Sequence, residues 1–194
     1  MPRPVRLLPD ATLSPLQVSR LDDCRQVTAL VAECLGATPP RVQVVLDSVT
    51  GVWGTTVRPV VNLAVEDLDT LDTLGLVGVM AHEVGHVAAG HLDDGSRPRR
   101  RRRRLAREME ANSLAAIAVG VAPLVAAYLT AVNWFVVRRG GAPLTAEQVV
   151  GGEAWMFPEA DSAAELLRRV ASTCDEMGDA RLSSWSRETQ KKVL

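Results

Sequence analysis

Hydrophobic positions along the chain fall into stretches of two different periods. From Leu16 to Leu35, the residues Leu16, Val18, Leu21, Val27, Leu30, Val31 and Leu35 recur at mostly helical spacing, and Gly36 with Pro39 and Pro40 ends the run. This predicts a helix that covers a core. Val42 to Val49 alternates and is β-branched, Gly51 to Gly54 predicts a turn, and Val57 to Ala64 resumes extended character with Pro59 favouring an edge strand. Acidic residues Glu66, Asp67, Asp69 and Asp72 suit the positive end of a helix dipole and mark a helix start. Leu71, Leu74, Leu76, Val77, Val79 and Met80 then carry helical spacing into residues 81–91, and a second polar helix is expected from near Leu105.

The stretch from Leu114 to Val137 has 24 residues without a charge, long enough to span a bilayer, with Arg138 and Arg139 following like an anchor. Pro123 and Asn133 interrupt it, and it begins two residues after the polar Asn112. It therefore predicts two packed core helices broken near Pro123, with membrane contact through Leu114–Val137 as the competing reading. Beyond Gly140 and Gly141, Thr145 caps a short expected helix to Val150. Another is expected over Asp161 to Met177, with a stripe of Ala164, Leu166, Leu167, Val170 and Cys174. Trp155, Phe157 and Trp185 suit packing, and the chain from Ser183 is polar and expected to fray.

These elements make an α+β domain: a small β-sheet with an edge strand, packed on a mostly helical body. Residues 1–15, with four prolines and no apolar run of signal-peptide length, form an extended arm. Residues 16–182 form the single domain and 183–194 a polar tail. At 194 residues and 47% hydrophobic composition the chain can bury a real core. Its net charge of −1 gives no global pull toward nucleic acid or membrane. Three cysteines, Cys24, Cys34 and Cys174, without a Cys-x-x-Cys, argue against a disulfide scaffold and for a reducing, cytoplasmic setting.

All three histidines lie within ten positions, in Ala81-His82-Glu83-Val84-Gly85-His86-Val87-Ala88-Ala89-Gly90-His91. His82 and His86, four apart on a helix, stand one turn above each other and form a two-toothed clamp for Zn²⁺. Glu83 adjoins the first ligand and would stand beside a zinc-bound water as general base. His91 falls one position short of the third histidine of a metzincin pattern and is not expected to be a ligand. In Glu108-Met109-Glu110-Ala111-Asn112, Glu108 and Asn112 share one face of the second helix while Glu110 points roughly the other way. Glu108 is the third expected ligand, and Asn112 the acceptor that fixes a ligand imidazole.

At these residues, HEVGHVAAGH followed by EMEAN, the chain resembles the gluzincin metallopeptidases and, within them, the HtpX-like and Ste24-like superfamily. Residues 40–120 carry the resemblance, only the two metal motifs being specific. It implies zinc ligation by His82, His86 and Glu108, a general base at Glu83, peptide or protein substrates, and a strand and edge strand ahead of the active-site helix. Asn112 replaces that pattern's Asp, keeping the acceptor but not the charge. No histidine follows His91, and Ala160-Asp161-Ser162 is the nearest counterpart of a downstream segment such peptidases carry. An oxyanion stabiliser is left to an arginine, Tyr128 or the backbone. The Glu-Ala-Asn form is also similar to ImmA/IrrE-type metallopeptidases, which cleave repressors.

Between the motifs, Arg97 to Arg104 supplies seven arginines around Pro98. Charge this dense predicts a solvated loop joining the two metal-bearing helices, with an anionic partner as the sharper alternative. A zinc-stabilised binding or membrane-associated protein without turnover would also explain this loop and the apolar stretch. A fourth protein ligand closing the metal site would favour it.

Overall fold

The computed structural model describes residues 6–46, 50–55, 57–91, 101–138 and 140–145, and the expected helices beyond Thr145, together with the polar tail, lie outside them. Among the described residues four strands and five α-helices follow one another as β1 (Leu7–Leu8), α1 (Pro15–Cys34), β2 (Arg41–Val45), β3 (Gly51–Thr55), β4 (Arg58–Ala64), α2 (Val65–Thr70), α3 (Thr73–Ala88), α4 (Arg101–Val119) and α5 (Val121–Arg138). The class is α+β, as the two hydrophobic periods predict.

The N-terminal arm does not stay apart from the domain. Leu7 and Leu8 pair antiparallel with Val45 and Val44, and a single 3-10 turn over Asp10–Thr12 leads into α1. Helix α1 starts at a capping box: the Ser14 hydroxyl accepts from the Gln17 amide N–H, the Gln17 side chain accepts from the Ser14 N–H, and Pro15 holds the first helical position. Its buried residues Leu21, Cys24, Thr28, Val31 and Ala32 follow the helical period and face the core. The Thr28 hydroxyl donates to the Cys24 carbonyl at 2.6 Å, which satisfies it inside that face. Arg20 reaches across to donate to the carbonyls of Leu68 and Leu71 at the end of α2.

The sheet order is β1-β2-β4-β3, with β2 parallel to β4 and β3 antiparallel to β4. This corrects two expectations. Gly51 to Gly54 is not a turn but most of β3, and β3, not the 57–64 stretch, is an edge strand, with β1 at the other edge. Pro59 is compatible with an inner strand because the parallel ladder to β2 begins one residue later, at Val60 opposite Arg41, so no bond to β2 is lost.

Helix α3 is the centre of the molecule and contacts α1, β3, α4 and α5. On one side, Leu76 and Met80 join Leu21, Cys24, Val42, Val44, Val61, Leu63, Leu68 and Leu71 against the sheet. On the other, Ala81 and Val84 pack with Val31, Ala32, Ala115, Ala116 and Leu124 among the helices. Two glycines permit this. A Cβ on Gly78 would lie 2.0 Å from the Pro123 carbonyl oxygen of α5, and one on Gly85 would lie 2.3 Å from the Ala111 carbonyl oxygen of α4. Both are backbone contacts that only hydrogen can fill.

The uncharged stretch divides into α4 and α5 as expected, but at Gly120, with Pro123 inside the first turn of α5. Among the described residues no helix is long and apolar enough to cross a membrane. The arginine tract departs from expectation: Arg101 to Arg104 form the first turn of α4, while residues 97–100 lie outside the described residues. Repulsion between neighbouring charges costs only a few tenths of a kcal/mol per pair. Arginine's own helix preference and the burial of Ala111, Asn112, Ala115 and Ala116 further along α4 outweigh it.

Candidate metal centre

Helix α3 is fixed at its start by Asp72, whose Oδ1 accepts from the Gly75 N–H at 2.7 Å, and the acidic stretch before it forms the separate short helix α2. Three turns later it presents His82 and His86 with Nε2 atoms 3.1 Å apart and rings edge to face. Glu108 arrives from α4, its Oε2 lying 3.3 Å from the His82 Nε2 and 3.5 Å from the His86 Nε2. Among the described residues these are the one group of three or more His, Cys, Asp or Glu able to hold a metal ion.

The triangle has the right size. Three donors about 2.0–2.1 Å from a tetrahedral ion stand about 3.3–3.4 Å from each other, and the observed edges are 3.1, 3.3 and 3.5 Å. The donor chemistry agrees. His82 Nδ1 lies 2.7 Å from Asn112 Oδ1, and Asn112 Nδ2 donates to the Tyr128 hydroxyl at 2.8 Å. With the Asn112 oxygen facing the ring, a neutral His82 carries its proton on Nδ1 and can offer the Nε2 lone pair to a metal ion. Donors that converge in this way need a cation between them, which a proton or a metal ion can supply. A proton and a metal ion compete for the same nitrogen: burial works to lower the His82 pKa, but the Glu108 hydrogen bond and the charges of Glu83 and Glu108 leave it raised. Burial would raise Glu108, yet hydrogen bonds to both histidines hold its carboxyl well below the usual carboxylate range.

Glu83 is 7% exposed and stands outside the ligand triangle, as expected of a base. Burial pushes its pKa up, while the neighbouring histidines and the Val52 backbone N–H, which hydrogen-bonds the carboxylate, work against the rise. That N–H belongs to β3, so the edge of the sheet faces the carboxylate. Val52 is not legible as a site residue in sequence, because its role rests on a backbone group of a strand that the glycines disguise as a turn.

Asn112 takes its expected place as the acceptor behind His82, and it is fully buried. Tyr128 comes to the site too, its hydroxyl behind Asn112 and its ring edge-on to His82 at 6.4 Å. His91 stays out of the triangle but is not remote. Its Nδ1 lies 3.3 Å from the His86 Nδ1, and its Nε2 lies 3.0 Å from Oε2 of Glu110. Gly90, with φ +69°, closes α3 in a Schellman motif in which Gly90 N–H bonds the Val87 carbonyl and His91 N–H bonds the His86 carbonyl. The Gly-His pair after the helix is the sequence signal for this return. Asp161 and Ser162 lie outside the described residues.

No protein-family model, curated protein or solved structure matches this chain. The functional reading therefore rests on the site itself.

Proposed function

We propose that the protein is a zinc-dependent endopeptidase, with His82, His86 and Glu108 holding the ion and Glu83 acting as general base. One observation carries the reading: a buried carboxylate that is not a ligand stands beside a His-His-Glu triangle of tetrahedral dimensions. Zinc in that triangle would polarise a substrate carbonyl and lower the pKa of its water toward about 7. His and carboxylate donors suit zinc but also other divalent ions, and the tetrahedral spacing of the three donors favours zinc.

The chain's own groups do the rest. Glu83, raised by burial, takes a proton from the attacking water and hands it to the leaving amine. Its Val52 hydrogen bond keeps the carboxylate pointed at the site before and after that transfer. The outer edge of β3, against Glu83, is where an extended peptide backbone would pair. Among the described residues the metal group has three protein ligands, the number found in catalytic zinc sites.

The test is hydrolysis of a broad peptide library by the zinc-loaded chain and by Glu83→Gln. Cleavage is expected from the wild-type chain and is expected to fall by about 10²–10⁴-fold in the variant, with zinc still bound. Equal cleavage by both, or bound zinc without cleavage of any peptide, contradicts the proposal.

A further inference from the structure

We propose that His91 and Glu110 are positioning residues that orient and polarise the ligand imidazole of His86. The inference rests on the metal site proposed above and extends it to two side chains that touch neither ion nor substrate.

The hydrogen-bond polarity along this chain of groups admits one neutral assignment. Glu110 is a carboxylate and can only accept, so the His91 nitrogen facing it, Nε2 at 3.0 Å, carries the proton. In the neutral ring of His91 the other nitrogen bears no proton. Its Nδ1 is then a lone pair, 3.3 Å from the His86 Nδ1. Nδ1 of His86 must therefore be the donor, which leaves His86 Nε2 free for the metal, on the side where His82 and Glu108 converge. The negative charge of Glu110 thus reaches His86 through one imidazole.

The backbone makes the arrangement rigid on the ring's side. In the Schellman closure His91 occupies the position whose side chain meets the residue five before it, and that residue is His86. An apolar contact is the usual occupant of this place; here two imidazoles meet instead, with centroids 5.4 Å apart. The His91 side chain is 9% exposed and the Glu110 side chain 60%. The dyad therefore runs from solvent inward. The two ligand histidines are held differently: His82 by the neutral Asn112 and Tyr128, His86 by an ionic relay.

Zinc affinity of the full-length chain, measured by competition with a chromophoric chelator at neutral pH, reads the proposal without relying on turnover. His91→Ala is expected to weaken zinc by about 10–100-fold. His91→Asn places its Oδ1 where Nδ1 was and should recover most of that loss, since it can still accept from His86. It cannot extend to Glu110. Glu110→Gln should therefore weaken zinc in the wild-type background and have no effect in the His91→Asn background, a coupling that a merely structural role would not produce. Thermal melts of the zinc-free variants show whether each is folded.

Zinc bound by His91→Ala within twofold of wild type, or an equal Glu110→Gln effect in both backgrounds, overturns the relay while leaving the ligand triangle standing. A wild-type chain that binds no zinc overturns the metal site itself, and the relay with it.

Discussion

Replacing Gly85 with alanine tests whether the contact between α3 and α4 sets the metal geometry. The added Cβ would lie 2.3 Å from the Ala111 carbonyl oxygen. Carbon and carbonyl oxygen ordinarily approach to about 3.3 Å, so the two helices must part by roughly 1 Å. Glu108 sits three residues before Ala111 on the same helix, and metal–ligand distances tolerate only about 0.2 Å. Overpacking of this kind costs about 1–3 kcal/mol, offset by about 0.5–1 kcal/mol because alanine favours a helix over glycine. A net loss near 1–2 kcal/mol lowers the melting temperature by about 2–8 °C in a chain of this size. The zinc constant should weaken at least about tenfold. Gly78→Ala is the control, because its Cβ would lie 2.0 Å from the Pro123 carbonyl oxygen of α5, a helix without a ligand. Circular-dichroism melts and chelator competition on both variants separate the outcomes. Both should melt earlier, and Gly85→Ala should lose more zinc affinity than Gly78→Ala, since among the described residues α5 reaches the site only through Tyr128 behind Asn112. Wild-type zinc affinity in Gly85→Ala, or an equal loss in Gly78→Ala, refutes the reasoning.

Asn112→Ala should weaken zinc by about 10–100-fold by removing the acceptor behind His82, while Asn112→Asp, which keeps an oxygen there, should bind no more weakly than wild type. Chelator competition checks both, and an unchanged Asn112→Ala contradicts the assignment. Burial, aided by the Asp23 charge, pushes the Cys24 thiol up to about 12, whereas Cys34 is exposed. Alkylation of the folded chain at mildly alkaline pH, mapped by mass spectrometry, should mark Cys34 and spare Cys24 until the chain is unfolded. Labelling of the two at similar rates would contradict the packing of α1.

The grouping of His82, His86 and Glu108 was legible because a helix converts sequence spacing into geometry. His82 with His86, and Glu108 with Asn112, are each four apart, so each pair lies on one face without knowledge of the rest of the fold. That the two faces meet depends on Gly85 and on the carbonyl of Ala111, a contact no single-residue pattern encodes. The division of the uncharged 24-residue stretch was also legible, through Pro123 and the polar interruptions, though Gly120 supplies the break. Strand β3 was not. Its two glycines are turn formers, and pairing with β4 overrides that preference. Pro59 misled in the opposite direction, since its missing N–H matters only where a ladder would use it, and the parallel ladder starts one residue later. His91 was set aside as a ligand and lies outside the His82, His86 and Glu108 group, yet its place behind His86 needed the return of the chain at Gly90. Arg101 to Arg104 were expected in a loop from charge alone, and the helix around them is held by burial further along α4.

The central claim is that His82, His86 and Glu108 bind one metal ion, and metal content of the purified chain tests it most directly. Elemental analysis after dialysis against zinc and removal of loosely bound ions should give one zinc per wild-type chain and none for Glu108→Ala, with both variants showing the same helical circular-dichroism spectrum. No retained zinc in the wild-type chain, or an undiminished content in Glu108→Ala, would contradict the account.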